Sequence, residues 1–148
     1  MTAAIFGLLG VVVGGLLTGG VDYFMARRRE QAELRQSTRL VADELHSLWL
    51  VVDLILERGQ LLPARLPGED TELLFPTSSW HAHKAVLARA LRQKEWIALA
   101  TVYAAVENMR PVMLRTPDLP LDAEGSLALT EMRDQTARLY TQLTGHQL

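Results

Sequence analysis

Residues 7–20 read GLLGVVVGGLLTGG, with six glycines among leucines, valines and one threonine. They belong to a longer run, residues 3–21, in which no side chain carries a charge. A helix rises about 1.5 Å per residue, so this run would be roughly 28 Å long, close to the hydrocarbon thickness of a bilayer. The sequence therefore predicts a transmembrane anchor over residues 1–26.

The basic residues lie on the C-terminal side of the apolar run. Arg27, Arg28 and Arg29 follow it, whereas the residues before it contribute only the α-amine. A secretory signal peptide has the opposite order, with its positive charge before the apolar region. The positive-inside rule predicts a single-pass protein of the cell membrane, with its N-terminus outside and its C-terminal domain cytoplasmic. The alternative is a helix buried in a soluble core, which seldom runs this long without a polar residue.

The glycines of the run give the predicted helix a face of small residues. Glycine weakens a helix in water, but in lipid the backbone has no other hydrogen-bonding partner. Small residues there let a second helix approach closely. Two ladders on adjoining faces favour a homo-oligomer, and a single anchor with incidental glycines is the alternative. The predicted packing residues are Gly7, Gly10, Gly14, Gly15, Thr18 and Gly19.

Asp22 lies at the predicted cytoplasmic edge of the membrane. An ionisable group near lipid is a functional candidate by default. The simpler interpretation is an interfacial charge, within reach of headgroup water and of the arginines at 27–29. The alternative is a ring of Asp22 carboxylates at the mouth of an oligomer. The protein would then be a pore-forming or membrane-perturbing effector, with its cytoplasmic bundle as gate or sensor.

The first helix is predicted to continue past the membrane. No proline or glycine occurs between residues 21 and 57, and Gly59 is a favourable stop. Residues 27–40 are strongly polar and predict a basic juxtamembrane stalk, whose arginines suit anionic lipid headgroups. Beyond the stalk the sequence predicts a helical bundle over residues 41–148. A heptad pattern leads into it through Leu34, Thr38, Val41, Leu45, Leu48, Val52 and Ile55.

Prolines and polar residues divide the rest of the bundle. Residues 60–77 contain three prolines and predict a long irregular connection that packs on the bundle. Thr77, Ser78 or Ser79 is expected to cap the helix that follows. The polar segment RQKE, residues 92–95, is expected to break the next helical stretch into two short antiparallel helices. The alternative is one exposed turn of a continuous helix.

The C-terminal third is predicted to contain one further helix. Pro111 is expected to end or bend the preceding helix, and two more prolines are expected to keep residues 115–121 extended. Asp122 or Ser126 should start the last helix, and Gly145 should close it. Its predicted core stripe consists of Leu129, Met132, Thr136, Leu139 and Leu143. The fold is thus predicted to be all-α.

Few residues suggest chemistry. His81 and His83 would point about 200° apart on a helix and could not chelate one ion together. Asp43 and His46 could share a metal or a hydrogen bond, but ordinary polar surface is the simpler interpretation. The chain has no cysteine, and it has no phosphate-binding loop or nucleophile motif. We therefore expect no enzymatic activity, cofactor or metal.

Large aromatic residues provide the remaining candidates. Trp49, Trp80, Trp96 and Tyr103 are predicted to be core residues, and the alternative places one or two of them at a partner surface. The formal net charge of −2 gives no indication of nucleic acid binding. The leading hypothesis is a membrane-anchored interaction or scaffold protein that self-associates, contacts membrane lipid and binds a cytoplasmic protein partner.

Overall fold

The computed structural model describes residues 2–62, 75–116 and 118–148, with side chains described from residue 21 onward. It contains four helices: α1 Thr2–Arg58, α2 Ser78–Ala90, α3 Gln93–Arg115 and α4 Ala123–Thr144. These ranges contain no strand, so the predicted all-α class is confirmed. The chain divides into two units, residues 1–35 and residues 36–148.

The first unit is the N-terminal part of α1. Every side chain from residue 21 to residue 33 is exposed. Among the residues whose side chains are described, no helix is long and apolar enough to cross a membrane. The apolar residues 3–20 lie outside that set, so the transmembrane anchor and its glycine face stay a prediction.

The second unit is a helical bundle whose core begins on the last part of α1. The predicted heptad residues from Val41 onward are buried: Val41, Leu45, Leu48, Val52 and Ile55 are all 0% exposed. The two earlier heptad residues, Leu34 and Thr38, are only half-buried. Full burial of an aliphatic side chain contributes about 1.5–3 kcal/mol, so this stripe is a principal source of stability.

Helix α1 ends as the sequence predicts. Gly59 adopts a φ of +66°, a left-handed conformation that an L side chain rarely adopts. Its N–H donates to the carbonyl of Ile55 at 3.0 Å, which closes the last turn. The residues that follow pair with a later loop. Leu61 N–H donates to Leu119 O at 2.9 Å, and Leu121 N–H donates to Gly59 O at 2.9 Å.

The predicted break between the second and third helices is confirmed, at Leu91 and Arg92. Both residues have extended backbone, with ψ values of 149° and 148°. The Glu95 carboxylate then accepts the backbone N–H of Arg92 at 3.1 Å and caps the first turn of α3. The backbone N–H groups of both Leu91 and Arg92 therefore have acceptors, since Leu91 donates to Leu87 O.

The structure contradicts two expectations from the prolines in part, and the alternative that Pro111 bends the helix stays a prediction. Helix α3 does not end at Pro111 but continues to Arg115. The helix continues although proline removes a backbone donor and crowds the carbonyl four residues earlier. Met113, beyond the proline, is 1% exposed and belongs to the core. Residues 115–121 are not extended throughout either, since Arg115 is helical and Asp118 has a φ of +63°.

Helix α4 agrees with the sequence at both ends. Asp122, one of the two predicted starts, is the N-cap, and its Oδ1 accepts the N–H of Gly125 at 2.7 Å. Gly145 has a φ of +76° and ends the helix. The predicted stripe is buried at Leu129, Met132, Thr136 and Leu139, whereas Leu143 is half-buried. Arg133 on this helix pairs with Asp53 of α1 at 3.2 Å.

Candidate functional site

The polar centre of the bundle is Glu44, which is only 5% exposed. It lies on α1, next to the heptad residue Leu45. Its carboxylate accepts the backbone N–H groups of Ser79 and Trp80, the latter at 2.9 Å. It also accepts the phenol O–H of Tyr103 at 3.0 Å. One buried carboxylate therefore connects α1 with α2 and α3.

Glu44 replaces the predicted caps of α2. Thr77 occupies the N-cap position but makes no capping hydrogen bond with its side chain. The Ser78 hydroxyl also points to Glu44, as a donor at 3.4 Å. The N-cap position of Thr77, one of the three predicted candidates, is therefore confirmed, but the capping acceptor is Glu44 and not a hydroxyl of Thr77, Ser78 or Ser79. The negative charge of Glu44 suits the positive end of the helix dipole better than a neutral hydroxyl does.

Two of the residues that bind Glu44, Trp80 and Tyr103, belong to an aromatic stack. The Trp80 ring lies parallel to the Tyr103 ring, with centroids 4.7 Å apart and an interplanar angle of 4°. The Trp96 ring also packs on Trp80, with the two ring centroids 5.0 Å apart. Burial, together with the charge of Glu44 and the hydrogen bond to it, raises the pKa of Tyr103 well above its ordinary value. Tyr103 therefore stays protonated and continues to donate.

The four predicted aromatic residues separate by burial. Trp80 is 6% exposed and Tyr103 is 1% exposed, so both belong to the core and not to an exposed partner surface. Trp49 and Trp96 are half-buried, and each is followed by an exposed aliphatic side chain, Leu50 and Ile97 respectively. Of these four residues, Trp49 and Trp96 are the two that a partner protein could contact.

The histidines have separate partners. His81 Nε2 lies 3.0 Å from Glu107 Oε1, and His83 Nδ1 lies 3.0 Å from Ser37 Oγ. The His46 ring packs at 5.8 Å from Tyr140. Within the described ranges, no group of three or more acidic or histidine side chains could hold a metal ion.

The predicted membrane-edge charges lie in the first unit. Asp22, Arg27, Arg28 and Arg29 are exposed. The Arg28 guanidinium lies 4.5 Å from the centroid of the Phe24 ring, a cation–π contact on one side of the helix. The backbone of the predicted packing residues from Gly7 to Gly19 is helical, and their side-chain environment lies outside the described residues.

A cavity between α3 and α4 has no counterpart in the sequence predictions. Its volume is ≈ 480 Å³. One wall carries Ala105, Asn108 and Met109, and the other carries Gly125, Ala128, Leu129 and Met132. Leu61 and the loop at residues 119–122 complete it. Small side chains on α3 and α4 leave this space open. Which residues of the two helices face each other depends on the tertiary fold.

Arg110 of α3 also holds the segment that leads into α2. Arg110 Nη2 donates to the backbone carbonyl of Phe75 at 2.7 Å and reaches Thr77 Oγ1 at 3.3 Å. Phe75 is 3% exposed. The segment that enters α2 is therefore held by α3 from one direction and by Glu44 from the other.

Comparison of the chain with protein-family models, curated proteins and solved structures finds no match.

Proposed function

We propose that this chain is a single-pass membrane protein whose cytoplasmic helical bundle acts as an interaction or scaffold domain. Self-association through the glycine face of the first helix would hold several copies of the bundle together. The observation that carries the proposal is the pair of small-residue ladders within an uncharged run of bilayer length, followed by an arginine cluster.

The charges support the proposed orientation. Arg27, Arg28 and Arg29 are exposed, and this cluster begins within one turn of helix after the aromatic residues Tyr23 and Phe24. Aromatic and basic residues at the end of an apolar run are typical of the cytoplasmic membrane interface. Each basic residue near an anionic surface contributes about 1 kcal/mol to membrane attraction.

The bundle supports the scaffold role. Its core contains the heptad residues of α1 from Val41 onward, and Trp49 and Trp96 are half-buried. Partly exposed tryptophans beside exposed aliphatic residues are frequent anchors for a partner protein. Arranging several bundles in one oligomer raises the effective concentration of such weak contacts.

The mass of the full chain in lipid nanodiscs or density-matched detergent tests self-association. We expect a defined oligomer for the wild type and a shift toward monomer for Gly14→Leu, since a bulky side chain would block close approach. Val13→Leu, on the face of large residues, is the matched control and should keep the oligomer. A wild-type chain that is monomeric at every protein-to-lipid ratio would contradict the proposal.

A liposome flux assay separates the scaffold from the pore. The scaffold predicts that the oligomeric wild type conducts no ions. Ion flux that disappears in Asp22→Asn while the oligomer persists would favour the pore-forming effector instead. Thr18 is the polar residue within the uncharged run, which leaves little to line an aqueous channel.

A further inference from the structure

The geometry points to the α3–α4 cavity as a binding site for an amphipathic cation. The ligand class we propose is a small molecule with one unbranched apolar chain and an ammonium head. The inference rests on the cavity, its lining and the charge at its rim. It does not depend on the membrane anchor or on self-association.

The size of the cavity suits a single chain. The site is a groove of ≈ 480 Å³ that is partly open to solvent, since Asn108, Leu119 and Ala128 in its lining are exposed. A methylene group fills about as much space as a water molecule, about 30 Å³, so a chain of about a dozen carbons would fit. Ligand sites in proteins commonly fall between about 300 and 1,000 Å³.

The walls of the cavity are apolar and adaptable. Leu61, Leu129 and the two methionines Met109 and Met132 supply most of the large side chains. Methionine is unbranched and has three rotatable bonds, so it can repack around ligands of different shape. Each methylene that leaves water for such walls is stabilised by the hydrophobic effect.

The charge at the rim selects the head group. Asp122 is the one charged residue among the described residues that line the cavity. Its Oδ1 accepts the N–H of Gly125 at 2.7 Å, and the same carboxylate is exposed to solvent at the loop. Asn108 adds a neutral carboxamide to the lining. A cation would be attracted to this rim, whereas a carboxylate head would be repelled.

The loop at residues 119–122 provides access from solvent. Leu119 lines the cavity and is nonetheless 47% exposed, so the mouth opens on this side. The loop is held to α1 by the backbone hydrogen bonds between Leu61 and Leu119 and between Leu121 and Gly59, both 2.9 Å. A ligand could therefore enter beside Leu119 without disrupting the helices.

Cysteine protection tests the site in the full chain, which has no native cysteine. Ala105→Cys places a thiol on the cavity wall, and Ala104→Cys places one on exposed surface beside it. Both variants are prepared in zwitterionic nanodiscs and alkylated with a maleimide in the presence of octylammonium, octanol or octanoate. We expect octylammonium to slow alkylation at position 105 at least threefold and to leave position 104 unchanged. Octanoate should protect least.

Two further variants separate the chain from the head group. Asp122→Asn keeps a good N-cap for α4 but removes the charge, so octylammonium should bind about two- to fivefold more weakly while octanol is unaffected. Ala128→Leu fills the cavity and should abolish protection by all three probes. Equal protection at positions 104 and 105, no protection by any probe, or better protection by octanoate than by octylammonium would each overturn the proposal.

Discussion

The carboxylate of Glu44 on α1 accepts the backbone N–H of Trp80 on α2 at 2.9 Å, across 36 residues of sequence. The first turn of α2 is therefore capped by a residue of another helix. The same carboxylate accepts the O–H of Tyr103 on α3. The arrangement concentrates the polar contacts of three helices on one buried group, which makes the bundle sensitive to its removal.

Removal of the Glu44 carboxylate should destabilise the bundle strongly. In Glu44→Ala two backbone donors and one phenol lose their acceptor, and each unsatisfied buried donor costs about 1–3 kcal/mol. We expect a loss of about 3–5 kcal/mol, and about half of that for Glu44→Gln, which retains one acceptor. Denaturant unfolding of the full chain followed by tryptophan fluorescence measures it. The control is Asp43→Asn, at an exposed neighbour; equal stabilities of Glu44→Ala and the control would contradict the role of Glu44.

Tyr103 should make the bundle sensitive to alkaline pH. Its native pKa is raised, so the native state keeps a proton that the unfolded state loses above about pH 10. The stabilising contribution is therefore fully present below about pH 10 and is lost as pH rises further. Tyr103→Phe should flatten this decline.

Phenolate absorbance near pH 11 provides the spectroscopic readout. The chain has three tyrosines, of which Tyr23 is exposed and Tyr140 is half-buried. Because the pKa of Tyr103 is raised, the wild type and Tyr103→Phe should show equal phenolate absorbance as long as the tryptophan signal remains native. A larger phenolate absorbance in the folded wild type than in folded Tyr103→Phe would exclude a raised pKa at Tyr103.

The heptad register of α1 predicts a sharp contrast between two nearby leucines. Leu48 is 0% exposed, whereas Leu50 is 50% exposed. Leu48→Ala should cost about 2–5 kcal/mol, because it removes buried methyl groups and leaves a cavity. Leu50→Ala, an identical chemical change, should cost less than about 1 kcal/mol. Thermal unfolding of both variants tests the register, and similar losses would show that it is wrong.

Replacement of Gly59 by alanine should destabilise the C-terminal end of α1. Its φ of +66° costs an L side chain about 1–2 kcal/mol, although no atom lies within 4 Å of the position where a Cβ would be. Gly59→Ala should lower the unfolding free energy by that amount. Gly59→Asn should cost less, since asparagine adopts this conformation more readily. An alanine variant as stable as the wild type would rule out the left-handed conformation.

Much of the bundle follows from local sequence signals. The heptad residues of α1 are buried from Val41 onward, Gly59 and Gly145 end helices, and α4 starts at Asp122. Each of these features depends on residues within one or two turns of each other. Apolar periodicity and the left-handed preference of glycine are sufficient to place them.

Features that depend on distant residues were not accessible in the same way. The capping role of Glu44 requires the N-terminus of α2 to lie next to α1. A glutamate within a heptad region does not indicate that it has such a partner. Helix α3 continues past Pro111 to Arg115 and places Met113 in the core, and a local proline rule does not take such tertiary packing into account. The cavity arises where Ala105 and Ala128 come from facing helices, and alanine is unremarkable in either helix alone.

The proposed orientation predicts different accessibility at the two ends of the chain. Thr2→Cys should react with a membrane-impermeant maleimide added to intact cells, whereas Gln147→Cys should react only after the membrane is permeabilised. The absence of native cysteine makes each label specific. Labelling of Gln147→Cys in intact cells would reverse the orientation derived from Arg27, Arg28 and Arg29.

Disulfide crosslinking in native membrane vesicles tests the central claim, self-association through the glycine face, most directly. Single cysteines at Gly10 and at Leu9 sample the face of small residues and the opposite face in an otherwise cysteine-free chain. Under mild oxidation, Gly10→Cys should form a covalent dimer in high yield, and Leu9→Cys should stay monomeric. Equal crosslinking at the two positions, or none at Gly10→Cys, would contradict assembly through this face.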